Sequence, residues 1–155
     1  MVQLTSPFHV GIVVPNVEEA MAQYTAETGV TWHSVQNLDL DMLAGGELVS
    51  SRVSFTYSVE GPLQIELVAG PAGSFWDIDL YSGLHHLGYW TENLHDDVAA
   101  MQNGGCELIF GGAGEGGQIA GFAFLMLPNG HRIELIDVVM RAGFEEWFAG
   151  GSLAV

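Results

Sequence analysis

Residues 8–17 read Phe-His-Val-Gly-Ile-Val-Val-Pro-Asn-Val, and residues 85–94 read His-His-Leu-Gly-Tyr-Trp-Thr-Glu-Asn-Leu. The two stretches align at an offset of 77 residues. The alignment matches His9 with His86, Gly11 with Gly88, and Asn16 with Asn93. A second match follows in the same order, because Ile-Glu-Leu occurs at residues 65–67 and again at 133–135. Two matches in one order indicate an internal repeat, so the chain is predicted to fold as two similar halves.

The start of each half predicts a strand followed by a helix. The first stretch is apolar, rich in β-branched residues and closed by a proline, which is typical of a strand. Asn16 then precedes a helical pattern of apolar residues with Glu19 three positions on, so Asn16 is predicted to cap a helix that ends near Gly29. Asn93 and Asp96 repeat this arrangement in the second half.

The rest of each half predicts strands. Residues 53–59 alternate apolar and polar side chains and lead across a Gly-Pro turn into residues 63–68, which predicts a hairpin. The corresponding hairpin of the second half is predicted from residues 122–127 and 132–139. One further strand per half is weakly marked, near residues 32–43 and 107–110. Each half is therefore predicted to have the order β-α-β-β-β.

The division of the chain follows from the repeat. Residues 1–155 are predicted to form a single domain with repeats at 8–70 and 85–137 and a C-terminal tail at 138–155. The tail is predicted to be a packed turn, with a lid over a site or a dimer contact as the alternative. Residues 111–117 contain five glycines but lack the Lys-Ser/Thr of a phosphate-binding loop, so they predict a mobile loop between two strands.

Composition excludes several classes of function. Hydrophobic residues make up 48% of the chain and charged residues 14%, which excludes intrinsic disorder. Three Arg and no Lys against 19 acidic residues give a net charge of −16, so nucleic acid and anionic membranes are not expected partners. The single cysteine, the lack of a long apolar run and the N-terminal sequence predict a soluble, cytoplasmic protein without an intrachain disulfide.

The polar residues that the repeat preserves point to metal chemistry. Each half keeps one histidine at its start and one glutamate on its last strand, namely His9, Glu66, His86 and Glu134. Four titratable groups in apolar strands need charge compensation, which a shared divalent cation supplies. Two imidazole nitrogens and two carboxylate oxygens suit Zn, Ni, Co, Mn or Fe(II). For each residue alone, a core histidine or a solvated glutamate is the simpler interpretation, and only the joint repetition favours a metal site.

The blocks at residues 9–17, 65–67, 84–90 and 128–136 together resemble the vicinal oxygen chelate superfamily. That group includes glyoxalase I, methylmalonyl-CoA epimerase, extradiol dioxygenases and the fosfomycin and bleomycin resistance proteins. The resemblance implies an α+β fold in which two paired β-α-β-β-β modules form a U-shaped, partly open barrel around a metal. By position, the implied metal ligands are His9, Glu66, His86 and Glu134. The second of the two adjacent histidines is selected, and His85 is predicted to be a structural residue facing the other side of its strand, with a proton shuttle as the alternative.

The implied ligand set favours one reaction class within the group. It is most similar to that of glyoxalase I, which implies a divalent-metal-dependent isomerase, epimerase or lyase that transfers a proton next to a carbonyl group. The base is either Glu134 or Glu66, and the sequence does not choose between them. A metal-free protein that binds small, antibiotic-like molecules is the alternative from another class. An Fe(II) extradiol-type dioxygenase is less favoured, because the resemblance gives that class only one glutamate ligand.

Composition also constrains the substrate. The scarcity of basic residues argues against glutathione and CoA thioesters and favours a small, apolar, oxygen-chelating substrate that is not strongly anionic. The predicted pocket is aromatic and comprises Trp32, Phe55, Tyr57, Trp76, Tyr89 and Phe124. A homodimer is expected from the resemblance, with the metal site either within one chain or across two.

Overall fold

A computed structural model describes residues 2, 4 and 6–153 of the chain. The first half contains β1 (His9–Val13), α1 (Val17–Thr28), β2 (Gln36–Ala44), β3 (Glu47–Tyr57) and β4 (Gln64–Ala69). The second half contains β5 (Gly83–Thr91), α2 (Leu94–Asn103), β6 (Glu107–Ala113), β7 (Ile119–Met126) and β8 (Arg132–Asp137). A 3₁₀ turn at Val138–Met140 leads into α3 (Arg141–Phe148). The predicted order β-α-β-β-β in each half is confirmed.

The eight strands form one mixed sheet in the order β1-β4-β3-β2-β6-β7-β8-β5, which closes through the β1–β5 pair. The two halves therefore meet at two seams. The β1–β5 seam is an antiparallel ladder along the whole of β1, whereas the β2–β6 seam has two residue pairs, Met42–Gly112 and Leu43–Gly111. The predicted α+β fold of two paired modules around a central space is confirmed, and the β2–β6 seam is the weakly joined side of the barrel.

The core is divided by the sheet. Alternate strand residues point into the barrel, where aromatic side chains dominate, or outward beneath a helix. Helix α1 covers Leu67 of β4, and helix α2 covers Leu135 of β8, and both leucines are fully buried. No helix in the described part of the chain is both long and apolar enough to cross a membrane.

The two predicted helix caps differ. The Asn16 side chain accepts a hydrogen bond of 2.9 Å from the Glu19 backbone N–H, and α1 ends at Gly29 in the left-handed conformation, so this prediction is confirmed. The prediction of an equivalent cap at Asn93 is wrong, because its side chain makes no capping bond. Thr91 instead ties the preceding strand to the start of α2: its hydroxyl donates to Asp97 and accepts a 3.1 Å bond from the Asn93 N–H.

Asn16 caps its helix through its side chain and Asn93 does not, so alanine substitutions at the two positions test the capping assignment. Asn16→Ala is expected to lower the free energy of unfolding by about 1 kcal/mol, because it leaves an N–H of the first helical turn without its side-chain acceptor. Asn93→Ala removes no such bond and is expected to change it by less than about 0.5 kcal/mol. Urea unfolding of the two variants measures the difference. Equal losses would contradict the assignment of the caps.

The glycine-rich stretch is more ordered than the sequence predicts. Gly111 and Gly112 belong to β6 and pair with β2, so the expectation of a loop across all of residues 111–117 is wrong. A methyl group on Gly112 would lie 2.2 Å from the Ala120 carbonyl oxygen, and one on Gly111 would lie 2.7 Å from the Phe122 carbonyl oxygen. The glycines therefore permit close approach of β7 to β6, and only the turn that follows Ala113 connects the strands.

The C-terminal tail is a packed helix against the barrel. Phe144 and Trp147 of α3 are buried, and the Trp147 indole N–H donates to the Ser34 carbonyl oxygen at 3.0 Å and to its hydroxyl at 2.9 Å. Phe148 stacks on His33 with ring centroids 4.2 Å apart. These contacts hold the tail over one end of the barrel interior.

Candidate metal centre

Four buried polar side chains meet inside the barrel at the β1–β5 seam. The Nε2 atoms of His9 and His86 lie 2.9 Å apart. Oε2 of Glu134 lies 3.1 Å from His9 Nε2 and 3.3 Å from His86 Nε2. Oε2 of Glu66 lies 3.1 Å from His86 Nε2 and 3.7 Å from His9 Nε2. The structure thus brings together the four residues that the repeat singles out, two from each half.

The repeated glycines explain how both imidazoles fit between two adjacent strands. In the β1–β5 ladder, His9 pairs with Gly88 and Gly11 pairs with His86, so each histidine lies opposite the glycine of the other half. A methyl group on Gly88 would lie 1.8 Å from Cε1 of His9, and one on Gly11 would lie 2.0 Å from Cε1 of His86. No side chain fits at such distances. The glycine of each His-x-Gly pattern therefore makes room for the histidine ring of the other half.

The two glutamates point inward because of strand alternation. Glu66 is paired with Gly11 in the parallel β1–β4 ladder, and Glu134 is paired with Gly88 in the parallel β5–β8 ladder. Their neighbours Leu67 and Leu135 point outward beneath the helices, so each glutamate faces the barrel interior. Both glutamates are more than 90% buried. A glutamate in a strand usually faces solvent, but these two are buried inside the barrel.

The donor set fits a divalent metal ion. Ligand atoms that lie about 2.1 Å from a shared ion at right angles to one another are about 3.0 Å apart, which is close to most of the contacts described above. His9, His86 and Glu134 offer ligand atoms that all lie within 4.8 Å of one another. Oε2 of Glu66 is buried without a hydrogen-bond partner, as is Nδ1 of His9. A buried carboxylate oxygen left in this state is stabilised by a cation.

Without a metal, a proton shared with the carboxylates takes the place of the cation. Burial lowers the pKa of His86, but hydrogen bonds and charge from Glu134 and Glu66 outweigh it and raise this pKa to about 9. Burial raises the pKa of Glu134, but its hydrogen bonds to His86 and His9 outweigh it and lower this pKa to about 2. The metal-free centre therefore holds an imidazolium–carboxylate pair at neutral pH.

These shifts predict a pH dependence of the metal-free protein. The contribution of His86 to stability is full below its ordinary pKa of 6.5 and is lost as pH rises through about 9. The contribution of Glu134 is full above its ordinary pKa of 4.5 and is lost as pH falls through about 2. The pair therefore favours maximal stability between pH 4.5 and 6.5.

Urea unfolding of chelator-treated protein from pH 3 to pH 10 measures this dependence. Saturating Zn²⁺ is expected to reverse the decline above pH 6.5, because a metal competes with the His86 proton and binds more tightly as pH rises. A metal-free protein that becomes more stable between pH 6.5 and pH 9 would contradict the proton assignment.

His85 lies beside the centre, and the prediction that it faces the other side of its strand is wrong. The β1–β5 register shifts between Gly11 and Ile12, whose partners are His86 and Leu84, so His85 is an extra residue in a β-bulge. The bulge turns both histidines to the same side, and their Nδ1 atoms lie 3.0 Å apart. Burial, helped by the charges of His86 and Arg132, lowers the pKa of His85 to about 3, so this imidazole is neutral.

An apolar cavity of about 560 Å³, including part of its mouth, opens beside the four residues. Glu66 and Glu134 line it, together with four of the six aromatic residues predicted for a pocket, Phe55, Tyr57, Trp76 and Phe124. Burial, then the charges of Glu66 and Glu134, raise the pKa of Tyr57 well above its ordinary value. Tyr57 therefore remains protonated beside the carboxylates.

The other two predicted pocket residues lie elsewhere. Trp32 packs outside the barrel against α1, where its indole N–H donates to the Thr25 hydroxyl at 3.1 Å. Tyr89 packs in the cluster beneath α2. Alternation along β5 turns Tyr89 outward because His86 and Trp90 point inward, and this signal was available in the sequence.

Sequence reasoning missed most of the aliphatic wall and the roof of the cavity. The additional lining residues are Leu38, Leu40, Val53, Val68, Gly121, Phe122, Ile136, Met140, Phe144 and Leu153. Alternation could have found those on the marked strands, since Ile136 shares a strand face with Glu134. Nothing local in the sequence places Met140, Phe144 and Leu153 of the tail over the barrel.

A sequence model of the glyoxalase/bleomycin resistance protein/dioxygenase superfamily matches residues 8–124. No curated protein matches the sequence significantly. Among solved structures, a hypothetical protein from Bacillus halodurans is similar, with a TM-score of 0.61 at 17% identity over 85% of this chain and 93% of that one. A Streptomyces coelicolor methylmalonyl-CoA epimerase variant in complex with 2-nitronate-propionyl-CoA has a TM-score of 0.60 at 20% identity, covering 87% and 98%. The methylmalonyl-CoA epimerase of Mycobacterium tuberculosis has a TM-score of 0.59 at 19% identity, covering 88% and 92%.

Proposed function

Because the chain belongs to the glyoxalase/bleomycin resistance protein/dioxygenase superfamily, we propose that it is a divalent-metal-dependent isomerase, epimerase or lyase. The proposed reaction moves a proton next to a carbonyl group of a small, apolar, oxygen-chelating substrate. The observation that carries the proposal is the convergence of two buried imidazoles and two buried carboxylates beside an apolar cavity. This arrangement supports a reaction at one polar end of an otherwise apolar ligand.

His9, Glu66, His86 and Glu134 would hold the metal, for which Zn, Ni, Co, Mn and Fe(II) are candidates. When bound, the metal supplies a Lewis acid that makes a C–H bond next to a carbonyl group more acidic. The two carboxylates balance its charge within a wall of low polarity. Tyr57 stays protonated beside Glu66.

Both glutamates line the cavity and can reach a substrate proton, but their contacts differ. Oε2 of Glu134 lies within 3.3 Å of both histidine Nε2 atoms, whereas Oε2 of Glu66 approaches only His86 as closely. The weaker hold on Glu66 supports it as the base that takes the proton. Return of the proton to the same carbon gives epimerisation, and return to the adjacent carbon gives isomerisation.

The charge distribution supports a neutral substrate. The lining residues in the described part of the chain include no lysine or arginine. Arg132 lies over the Tyr81 ring and Arg141 over the Trp90 ring, at 4.4 and 5.0 Å from the ring centroids. With a net charge of −16, the protein offers little to hold the phosphates of a CoA thioester. A neutral hydroxycarbonyl compound with an apolar body is the proposed substrate class.

A metal-free binding protein is the second candidate function, and the aromatic wall of the cavity favours it. Such a protein would capture an apolar ligand tightly without turnover. A cytoplasmic homodimer remains part of the proposal, and sedimentation velocity tests the dimer. The same four-ligand set argues against an extradiol-type dioxygenase.

Metal content tests the proposal directly. Untagged protein purified without chelators is expected to contain about one transition metal ion per site, measured by mass spectrometry. The double variant Glu66→Gln/Glu134→Gln is expected to lose the metal, because it removes both anionic ligands. The matched control Glu47→Gln/Glu107→Gln alters two exposed strand glutamates and is expected to retain it. No metal in the wild-type protein, even after reconstitution, would support the binding-protein candidate.

The reaction class has its own test. The metal-loaded protein is incubated in D₂O with a panel of neutral hydroxyketones, and proton NMR follows loss of the signal next to the carbonyl group. Exchange that the double glutamine variant lacks is the expected result. Tight binding of the panel without any exchange would contradict the proton-transfer proposal.

A further inference from the structure

The proposed chemistry does not use His85, a buried imidazole that directly contacts one of the proposed ligands. His85 is 4% exposed, and the β-bulge in β5 turns it to the same side as His86. The contact joins the two Nδ1 atoms at 3.0 Å, which is a hydrogen-bond distance. Tyr81 and Phe124 flank the ring, with centroids 5.3 and 6.0 Å away. An extra residue in a strand that re-aims a side chain in this way is a feature typical of functional sites.

The direction of this hydrogen bond follows from the geometry of His86. Its Nε2 faces Glu66, Glu134 and His9, so Nε2 is the atom that a metal would bind, and that atom must be unprotonated. A neutral imidazole has one ring proton, which then lies on Nδ1 of His86. The nearby Nδ1 of His85 must accept it, and the remaining proton of His85 lies on Nε2.

We infer that His85 is a positioning residue, which accepts the Nδ1 proton of His86 and so keeps His86 Nε2 free and correctly oriented for the metal. The inference rests on the proposed metal site. The acceptor of the His86 proton is then an imidazole, which affects how much charge His86 can donate to a metal. Metal-bound histidines commonly donate to a carboxylate or a carbonyl oxygen, and a carboxylate makes the ligand more basic. An imidazole acceptor brings no negative charge, unlike a carboxylate, so His86 would donate less charge and a metal held there would be a stronger Lewis acid.

Two substitutions of similar size separate positioning from packing. His85→Asn keeps an acceptor, because the asparagine Oδ1 can replace Nδ1, whereas His85→Leu has almost the same shape without an acceptor. His85→Leu is expected to lower Zn²⁺ affinity by about 10- to 100-fold, as loss of the outer hydrogen-bond partner of a ligand does. His85→Asn is expected to recover most of that loss. Competition titration with a chromogenic chelator measures both affinities.

A spectroscopic measurement decides the question in the unaltered protein. Long-range ¹H–¹⁵N spectra of ¹⁵N-histidine-labelled protein report which ring nitrogen carries a proton. The expected Zn²⁺-loaded state has His86 protonated on Nδ1 and His85 protonated on Nε2. The inference is overturned if His85 carries its proton on Nδ1, or if a folded His85→Leu variant binds Zn²⁺ as tightly as the wild type. If the wild type binds no metal, the proposed function fails, and the same spectra of the metal-free protein still show whether His85 Nδ1 is the acceptor.

Discussion

Gly88→Ala is expected to abolish tight metal binding and to lower stability markedly. The added methyl group would lie 1.8 Å from Cε1 of His9, so the His9 ring must leave its position. His9 is completely buried between the strands, and the backbone of β5 is fixed by ladders to both β1 and β8. Because the variant displaces a proposed ligand, its Zn²⁺ affinity is expected to fall more than the 100-fold or so associated with outer-partner losses.

The stability loss should exceed that of ordinary overpacking, which is about 1–3 kcal/mol. Gly104→Ala is the control, because Gly104 has an ordinary φ of −82° and lies exposed at the end of α2. Urea unfolding and Zn²⁺ titration of both variants measure the effects. Gly11→Ala should reproduce the Gly88→Ala result through His86. A Gly88→Ala protein with wild-type metal affinity would refute the proposed role of His9.

Trp147→Ala is expected to lower the free energy of unfolding by about 3–5 kcal/mol, as truncation of large buried aromatic residues does. Trp147 is 1% exposed and meets Phe55 and Tyr57 edge to face with centroids 5.6 Å away in each case. Those two residues line the cavity, so the substitution also removes support from its wall. The loss is a large fraction of the free energy of unfolding of a typical domain, which is about 5–15 kcal/mol.

Trp147→Phe is the matched control because it keeps one aromatic ring, and it loses the indole N–H bonds to Ser34 and part of the buried ring volume. Ser34 is exposed and can bond to water instead, so the smaller ring dominates and the free energy of unfolding is expected to fall by about 1–2 kcal/mol, less than for Trp147→Ala. Urea unfolding gives both values, and fluorescence of the neutral probe Nile red reports exposure of the cavity. A Trp147→Ala variant as stable as Trp147→Phe would show that the tail does not anchor the barrel through this side chain.

The fold and the four central residues were predictable because the pattern of strands and helices and the positions of the histidines and glutamates occur in both halves of the sequence. A strand histidine or glutamate alone carries little information, but its repetition at the same place in two halves identifies a shared environment. The glycines at positions 11 and 88 were visible in the same repeat. Their purpose was not, because it depends on the antiparallel register that places each glycine opposite the histidine of the other half.

The remaining features depend on contacts that no local pattern encodes. A β-bulge breaks the alternation on which the orientation of His85 was predicted. The tail reaches the barrel through contacts such as Trp147 with Ser34, which are distant in sequence. Trp32 and Tyr89 were predicted from aromatic character alone, and aromatic character does not distinguish the inner face of a sheet from the face beneath a helix.

His9 pairs with Gly88, and His86 pairs with Gly11. Such reciprocal contacts are typical of an isologous interface, in which an approximate two-fold axis relates two equivalent surfaces. Each half alone contains only two of the four proposed ligands. If the two halves were separate molecules, the centre would form only as fast and as fully as their concentration allowed. The connection through residues 70–82 makes their meeting intramolecular, with a high effective concentration, so assembly of the centre does not depend on how much protein is present.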